Sequence, residues 1–273
     1  MSDLHCEVCF HRCHMKEGQS GFCRARANID GKNTDINYGR ITSLALDPIE
    51  KKPLAFYHPG TTVLSAGSYG CNLACPFCQN SAISMVDGNH IQTDYVSPET
   101  LAQAAGQMPG CIGVALTYNE PLIGWEYVRD VAHEVHKRGQ KMVVVSNGTV
   151  ADWVLDELKG CIDAINIDLK GDEKFYGELS GKEEMVKNTI RKLAGEGVHV
   201  EITTLVIPGK NDDDHWIEEQ ARWLASINPD IPLHLTRYFP RYHYKTPPTP
   251  IETLESMQKI ASRYLHHVLL GNV

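Results

Sequence analysis

The chain has 273 residues, of which 42% are hydrophobic, and a formal net charge of −8 at pH 7. This length and apolar content are enough for one large domain with a small appendage. The acidic balance and the lack of a long basic run argue against a broad phosphate-binding face, so nucleic acid is a poor candidate partner.

The sequence shows no export or membrane signal. The N-terminus lacks a positive region followed by an apolar stretch, and nowhere do 18 consecutive apolar residues occur. We therefore expect a soluble cytoplasmic protein with no membrane partner. Its nine cysteines, odd in number and grouped, indicate metal ligation rather than disulfide bonds, whereas Cys111 and Cys161 are isolated and are predicted to be core residues.

Four cysteines near the start of the chain have the spacing C-x2-C-x3-C-x9-C, and they are Cys6, Cys9, Cys13 and Cys23. Four thiolates can close a tetrahedral metal site with no open position. Zinc and an auxiliary iron–sulfur cluster are both compatible with them, because thiolates bind both and the spacing does not decide. A segment this short cannot build a core alone, so we predict a Cys-rich metal-binding subdomain over 1–58 and a main domain over 59–273.

A second group of cysteines follows a buried strand predicted over 62–67. The string GCNLACPFCQN has the spacing C-x3-C-x2-C and contains Cys71, Cys75 and Cys78. Iron–sulfur clusters are normally held by four thiolates, so three thiolates leave one iron of a 4Fe-4S cluster open to an exchangeable ligand. A structural zinc site would need a fourth ligand, and no fourth Cys or His lies near this loop, the closest downstream candidate being His90. We therefore predict a reactive cluster at the carboxyl end of this strand, where parallel α/β barrels carry their chemistry.

From about residue 98 the pattern alternates between helices and strands. Ser97 is the predicted N-cap and Pro98 the first residue of a helix. The further predicted strands are 112–117, 141–145, 162–169, 198–206 and 233–237, and the further helices are 121–138, 151–159, 183–195, 212–226 and 251–265. With the strand at 62–67 there are six parallel strands, too few to close an eight-stranded barrel. The predicted fold is an α/β partial (β/α)6 TIM-like barrel with a small N-terminal subdomain.

Two of the predicted strands, 162–169 and 233–237, contain polar residues that could line a site. Asn166, Asp168 and Lys170 alternate with apolar residues, so they share one face, which looks into the barrel when helices cover the other. Asp168 and Lys170 can partner each other there, either as a structural pair or beside a ligand. His234 and Arg237 are predicted at the mouth of the last strand and are candidate substrate contacts.

These strings resemble known proteins. GCNLACPFCQN, with the aromatic Phe77 before its last cysteine, resembles the signature of the radical S-adenosylmethionine (SAM) superfamily. The chain as a whole resembles the radical SAM protein of the AmmeMemoRadiSam system, a relative of pyruvate formate-lyase (glycyl radical enzyme) activating enzymes. The further strings that carry this resemblance are the leader cysteines, DPIEKKPL at 47–54, TYNEP at 117–121, the Asp-x-Lys element and the terminal LGNV. Members of that family often continue into a Cys-rich tail, which is not part of this sequence, so functions that depend on such a tail stay open.

The resemblance implies a set of SAM contacts. Glu120 occupies the place of the acidic residue that accepts hydrogen bonds from the SAM ammonium, although Tyr118-Asn119 replaces the family's Gly-Gly before it. Alternatively, Glu120 is an acidic residue in the first turn of a helix, where the helix dipole favours a negative charge. Lys170 would neutralise the SAM carboxylate, and Asp168 would organise Lys170. The SAM pocket would also be lined by Asn119, Ser146, Asn147 and, near the adenine, Val206.

The resemblance also implies the chemistry and the partners. A reduced cluster donates one electron to SAM, and the resulting 5'-deoxyadenosyl radical removes a hydrogen from the substrate. A flavodoxin or ferredoxin would supply the electron, and partner proteins of the AmmeMemoRadiSam system would supply the substrate, such as a protein glycine. A radical SAM enzyme acting on a small molecule or an RNA base is the second hypothesis. A non-catalytic thiolate-metal scaffold is the third.

Overall fold

The structure, a computed structural model, describes residues 3–273. Its strands, numbered in chain order, are β1 Leu4–His5, β2 His14–Met15, β3 Arg26–Ile29, β4 Lys32–Asp35, β5 Arg40–Ile41, β6 Ser43–Pro48, β7 Thr62–Gly67, β8 Asp94–Tyr95, β9 Cys111–Leu116, β10 Lys141–Ser146, β11 Ala164–Asp168, β12 His199–Val206, β13 Leu233–Arg237 and β14 Val268–Gly271. Its α-helices are α1 Ser81–Ser84, α2 Pro98–Gly106, α3 Trp125–Lys137, α4 Asp152–Glu157, α5 Glu173–Glu178, α6 Glu183–Gly195, α7 Asp214–Ile227 and α8 Ile251–Ala261.

Eight strands form the central sheet, in the order β14-β13-β12-β11-β10-β9-β7-β6. Seven of them are parallel, and β6 pairs antiparallel with β7 at one edge. The predicted α/β class and partial barrel are confirmed, and all six predicted strands are present. The count of six parallel strands is too low by one, because β14 is a four-residue apolar run that periodicity cannot distinguish from a loop.

Amphipathic helices cover the outer face of the sheet. Helix α3 buries Val128, Val131 and Val135 at the spacing expected for one helical face. The predicted start of α2 is confirmed: Ser97 accepts a hydrogen bond from the backbone N–H of Thr100, and Pro98 is the first helical residue. The helix predicted over 121–138 is divided, because a short 3-10 turn, Pro121–Gly124, precedes α3.

A segment that follows β6 fills the amino-terminal end of the barrel. After the 3-10 turn Ile49–Lys51, Ile49 and Leu54 pack against Val63 of β7 and the inner face of the neighbouring strands. The carboxylate of Glu201 in β12 accepts hydrogen bonds from the backbone N–H groups of Ala55 at 3.0 Å and Phe56 at 2.8 Å. Part of the string DPIEKKPL is therefore buried at this end of the barrel, namely Ile49, Lys52 and Leu54.

The N-terminal residues form small antiparallel hairpins, β1–β2 and β3–β4, beside the barrel. The guanidinium of Arg26 binds both carboxylate oxygens of Glu126 in α3, at 2.7 and 2.8 Å. The backbone N–H of Ala151 donates to the carbonyl of Val8 at 2.9 Å. Within the predicted 1–58 segment, β6 already belongs to the central sheet, and the division into 1–58 and 59–273 stays a prediction.

The helices in the described part of the chain are too short or too polar to cross a bilayer.

Candidate active site

The loop with three cysteines follows β7 at the carboxyl end of the sheet, as predicted. Its shape depends on Gly70, whose φ is +86° and at which an added Cβ atom would lie only 2.4 Å from the carbonyl oxygen of Cys23. The backbone N–H of Cys71 donates to the same carbonyl at 3.1 Å. Farther along, the N–H of Ala74 donates to the carbonyl of Leu179 at 2.9 Å. The first half of the loop is thus anchored to the rest of the chain at Cys71 and at Ala74.

Of the three cysteines, Cys75 is buried, whereas Cys71 and Cys78 are partly buried. Cys75 and Phe77 belong to an apolar cluster against which Cys71 and Cys78 pack. Burial raises the pKa of Cys71 well above its usual value and that of Cys75 to about 11. Thiolates are the ligands of iron, and a positively charged cluster would favour the thiolate form of these cysteines.

The donor set of this loop is three free cysteines. An iron–sulfur cluster places each thiolate on its own iron, so its ligands need not converge on one point. The donor set of Cys71, Cys75 and Cys78 therefore fits a 4Fe-4S cluster with one corner left for another ligand.

Glu120 joins the ends of β9 and β10. Its Oε1 accepts hydrogen bonds from the N–H of Leu122 at 2.9 Å and the hydroxyl of Ser146 at 2.8 Å, and its Oε2 accepts one from the N–H of Asn147 at 2.7 Å. Burial raises the pKa of Glu120 to about 7, although these hydrogen bonds oppose the shift. Glu120 is thus the N-cap of the 3-10 turn, and its Oε2 can accept one further hydrogen bond.

The other predicted SAM contacts on these strands hold the cysteine loop in place. Asn119 accepts a hydrogen bond from the N–H of Ser68 at 2.9 Å and donates to the carbonyl of Gly70 at 3.2 Å. Asn147 donates to the side chain of Asn72 at 2.9 Å and lies 3.5 Å from the sulfur of Cys71. The structure therefore brings Asn119, Glu120, Ser146 and Asn147 together around the loop.

Asp168 and Lys170 form the expected pair at the end of β11. The distance from Lys170 Nζ to Asp168 Oδ2 is 2.8 Å. Burial lowers the pKa of Lys170, but the attraction of Asp168 and then of Cys75 outweighs this and raises it above its usual value. The hydroxyl of Tyr176 donates to the carbonyl of Asp168 and accepts from the N–H of Lys170, both at 3.1 Å. Lys170 is thus charged and lies near the cysteines.

The remaining predicted residues lie on β12 and β13. Val206 is the last residue of β12 and is fully buried. Arg237 ends β13 at the mouth, where it donates to the carbonyl of Thr249 at 2.8 Å. The placement of His234 at the mouth is wrong: it is the second residue of the parallel strand, near the amino-terminal end, and its Nε2 lies 2.6 Å from Glu201 Oε2.

Sequence reasoning missed a group of polar residues inside the barrel. Lys52 lies 2.7 Å from Asp47, and the hydroxyl of Tyr118 donates to the same carboxylate oxygen at 2.7 Å. Tyr118 has a φ of +73°, which is unusual for a tyrosine and directs its ring into the barrel. The sequence did contain a signal for this group, because the string DPIEKKPL places charged residues next to apolar ones. Asn211, which donates to the carbonyl of Lys170 at 2.7 Å, was not among the predicted site residues either.

Comparison with known proteins identifies the family. The model of the radical SAM superfamily matches residues 66–220, which include the three-cysteine loop and every strand from β9 to β12. The chain belongs to the radical SAM superfamily. This family implies a 4Fe-4S cluster and SAM, in agreement with the fit of the three-cysteine loop.

Individual relatives support the same assignment. An uncharacterized protein of Methanocaldococcus jannaschii is 36% identical over 99% of this chain and 81% of its own length. The pyruvate formate-lyase 1-activating enzyme of Escherichia coli strain K12 is 25% identical over 73% of this chain and 88% of its length. A crystal structure of a domain of a pyruvate-formate lyase-activating enzyme from Bacteroides vulgatus has a TM-score of 0.51 at 25% identity, covering 59% of this chain and 99% of that domain. The radical SAM domain of this chain is homologous to activating enzymes, and this homology supports the conclusion that the protein is an enzyme.

Proposed function

We propose that this protein is a radical SAM enzyme that uses Cys71, Cys75 and Cys78 to hold its 4Fe-4S cluster and cleaves SAM reductively. When bound, the cluster and SAM supply a one-electron cleavage whose 5'-deoxyadenosyl radical abstracts hydrogen from a substrate. The single observation that carries the proposal is the partly buried three-cysteine loop at a strand end, held by Asn119 and Asn147.

The protein's own groups would bind and orient SAM. The open acceptor capacity of Glu120 Oε2 suits the ammonium of SAM, and the charged Lys170 suits its carboxylate. Asp168 holds Lys170 in position, and Val206 lies at the end of the neighbouring strand, where the adenine would pack. The apolar cluster around Cys75 and Phe77 would exclude water from the reacting atoms.

We propose that the substrate is a protein glycine, as in a glycyl radical activating enzyme. The support is the similarity to the activating enzymes of pyruvate formate-lyase. On this proposal the protein is the radical SAM component of the AmmeMemoRadiSam system, receives its electron from a flavodoxin or ferredoxin, and works in the cytoplasm, where thiols stay reduced.

A small polar molecule is the second candidate substrate. The observation that favours it is the ion pair between Asp47 and Lys52 inside the barrel, with the hydroxyl of Tyr118 beside it. Such groups recognise charged or hydroxylated ligands better than a glycine backbone.

The test is anaerobic reconstitution with iron and sulfide, reduction with dithionite in the presence of SAM, and a chromatographic search for 5'-deoxyadenosine. We expect product from the wild type and from the control variant Cys111→Ser, and none from Cys75→Ala. A reduced, intact cluster that yields no product would favour a non-catalytic thiolate-metal scaffold.

The substrate class is tested by electron spin resonance. Co-expression with a candidate glycyl radical protein should give the doublet of a glycyl radical. A missing doublet in a system that makes 5'-deoxyadenosine would overturn activation of a glycine and leave the small molecule.

A further inference from the structure

A loop of cations and aromatic residues follows β13 at the mouth of the barrel. We call residues 238–245, which have the sequence YFPRYHYK, the mouth loop. No Asp or Glu occurs between Asp230 and Glu252, although the whole chain has a formal net charge of −8. The side chains of Arg241 and Lys245 are exposed. The mouth loop is therefore a positive surface on an acidic protein.

The same surface exposes two aromatic side chains. Phe239 is 43% exposed and Tyr242 is 40% exposed. The guanidinium of Arg237, the last residue of β13, lies 5.0 Å from the centre of the Phe239 ring, and the rings of Tyr242 and His243 are 3.6 Å apart. Aromatic residues and arginine are enriched in protein interfaces. The mouth loop thus combines the apolar and the charged groups of a docking surface.

Buried contacts hold the mouth loop in place. Tyr238 is buried, and its hydroxyl donates to the carbonyl of Tyr244 at 3.1 Å. Arg237 donates to the carbonyl of Thr249, whose hydroxyl donates in turn to the carbonyl of Val206 at 2.6 Å. A surface that is already ordered loses little conformational entropy when a partner binds.

The mouth loop lies against the segment that carries the cluster ligands. The N–H of His243 donates to the carbonyl of Pro76 at 2.9 Å. The ring of Tyr244 packs edge-on against Phe77, with 6.2 Å between the ring centres. Pro76 and Phe77 are the two residues between the second and the third cysteine of the three-cysteine loop. A protein bound to the mouth loop is therefore held beside these cysteines.

We propose that the mouth loop is the docking surface for an acidic electron-donor protein of the flavodoxin or ferredoxin class. The proposal rests on the proposed function, because only a redox-active cluster at the three-cysteine loop requires such a donor. In the complex the reduced donor loses one electron and the cluster gains it, while no bond forms or breaks. Arg241 and Lys245 attract the acidic surface of the donor, and Phe239 and Tyr242 supply the apolar contact.

The position and the charge of the mouth loop favour an electron donor over other partners. Electron transfer requires proximity to the cluster but no entry into the barrel, whereas a substrate must reach SAM itself. Complexes of redox partners have small interfaces, which a short loop suits. The net charge of −8 disfavours a nucleic acid strand, since the rest of the surface would repel its phosphates.

The first experiment measures how fast a reduced donor protein reduces the cluster, by anaerobic stopped-flow absorbance. Reduced flavodoxin and reduced ferredoxin are the probes. In Arg241→Glu/Lys245→Glu, the faster of the two reactions should slow by about tenfold at low salt, because the surface now repels the donor. No slowing, or a wild-type cluster that neither donor reduces, would overturn the docking surface.

The control variant Lys159→Glu/Lys259→Glu makes the same change in net charge elsewhere. Both lysines are exposed, and they lie at the carboxyl ends of α4 and α8, which lead into β11 and β14 at the opposite end of the sheet. Screening by salt confines the effect of a charge to its neighbourhood, so this variant should slow the reaction by less than about twofold. Equal slowing in the two variants would contradict the proposal.

A small reductant distinguishes docking from damage to the cluster. Reduced methyl viologen is a small cation that needs no docking surface, so it should reduce Arg241→Glu/Lys245→Glu at least as fast as the wild type. A matching loss with viologen would show a structural role for the two residues and overturn the proposal. Added salt should slow the donor reaction of the wild type and should not slow that of the variant.

A variant that keeps every charge tests the apolar part of the mouth loop. Phe239→Ala should lower the second-order rate constant of reduction by the donor about fivefold, because it removes an aromatic contact. Phe56→Ala is the matched control, since Phe56 is 45% exposed and lies in the segment at the amino-terminal end of the barrel. Equal rate constants for Phe239→Ala and Phe56→Ala would show that the donor does not contact the mouth loop.

These measurements require the cluster but not the cleavage of SAM. A wild type that forms no 5'-deoxyadenosine with any reductant, yet depends on the mouth loop for reduction by the donor, would refute the proposed function and leave the docking surface standing. Turnover with dithionite, together with donor reduction that is insensitive to Arg241→Glu/Lys245→Glu, would do the reverse. In that case loss of the glycyl radical doublet in the variant would assign the mouth loop to the substrate protein.

Discussion

Lys52 and Asp47 form an ion pair inside the barrel, with 2.7 Å between Nζ and Oδ2. The side chain of Lys52 is 3% exposed and that of Asp47 12%. The ammonium also lies 4.7 Å from the centre of the Tyr118 ring. Burial raises the pKa of Asp47, but Lys52 and Tyr118 outweigh it, so the pKa falls well below its usual range. Each charge thus depends on the other for compensation.

We expect Lys52→Met to destabilise the protein by about 3–5 kcal/mol, because it leaves the carboxylate of Asp47 buried without its partner. The adjacent Lys51 provides a matched control. Its ammonium lies 3.5 Å from the same carboxylate but its side chain is 68% exposed, so Lys51→Met should cost less than about 1 kcal/mol. The measurement is urea-induced unfolding of both variants.

The double variant Asp47→Asn/Lys52→Met removes both charges. It should lose less stability than the sum of the two single variants, since no charge stays uncompensated. Additive losses, or an unchanged urea midpoint for Lys52→Met, would show that the pair does not stabilise the fold.

We expect Glu120→Gln to weaken SAM binding at least tenfold. The amide removes the negative charge that suits the SAM ammonium, and its NH2 group cannot accept a hydrogen bond from the N–H of Asn147 or Leu122. Stability should fall by about 1–3 kcal/mol for the second reason. Equilibrium dialysis with labelled SAM and urea unfolding measure the two effects separately.

The exposed Glu99 supplies the control, because its side chain is 73% exposed and Glu99→Gln should change neither quantity. Normal SAM affinity in a destabilised Glu120→Gln would mean that Glu120 acts only as the cap of the turn after β9.

The sequence could predict what depends on neighbouring residues. The apolar run at 62–67, the capping pattern at Ser97 and the alternation around Asp168 reflect local chain geometry, and the structure contains each of them. The contact of Tyr118 with Asp47 joins residues 71 positions apart. Periodicity carries no information about such a pair, so the charged interior of the barrel was not predicted.

The wrong placement of His234 was not forced by the sequence. The bounds of β13 were predicted correctly, and they already make His234 the second residue of a parallel strand, near its amino-terminal end. The register agrees, because His234 pairs with Thr203, between Glu201 and the end of β12.

We expect Lys170→Met to reduce SAM affinity at least tenfold, because it removes the positive charge proposed to bind the SAM carboxylate. Lys210→Met is the matched control. It removes a lysine from another ion pair, with Glu178 at 2.5 Å, near the end of the next strand. The SAM affinity of both variants can be measured by equilibrium dialysis, and equal affinities would exclude a role for Lys170 in binding.

Glu201 should make stability depend on pH in the acid range. Its carboxylate is fully buried and lies 2.8 Å from His199 Nε2 and 2.6 Å from His234 Nε2. Burial raises the pKa of Glu201, but these hydrogen bonds and those from Ala55 and Phe56 outweigh it and lower the pKa from 4.5 to about 2.

Because the folded pKa is depressed, the unfolded chain takes up a proton at a higher pH than the folded one. The stabilisation by Glu201 is therefore present above pH 4.5 and is lost as the pH falls from about 4.5 to about 2. It amounts to about 3 kcal/mol.

Urea unfolding at several pH values should show this decline in the wild type. Glu201→Gln should be less stable at pH 7 and should lose less of its stability on acidification, because the amide does not titrate. In Glu255→Gln, which changes an exposed residue of α8, the decline should persist. Parallel pH profiles for the wild type and Glu201→Gln would show that the carboxylate keeps its ordinary pKa in the folded protein.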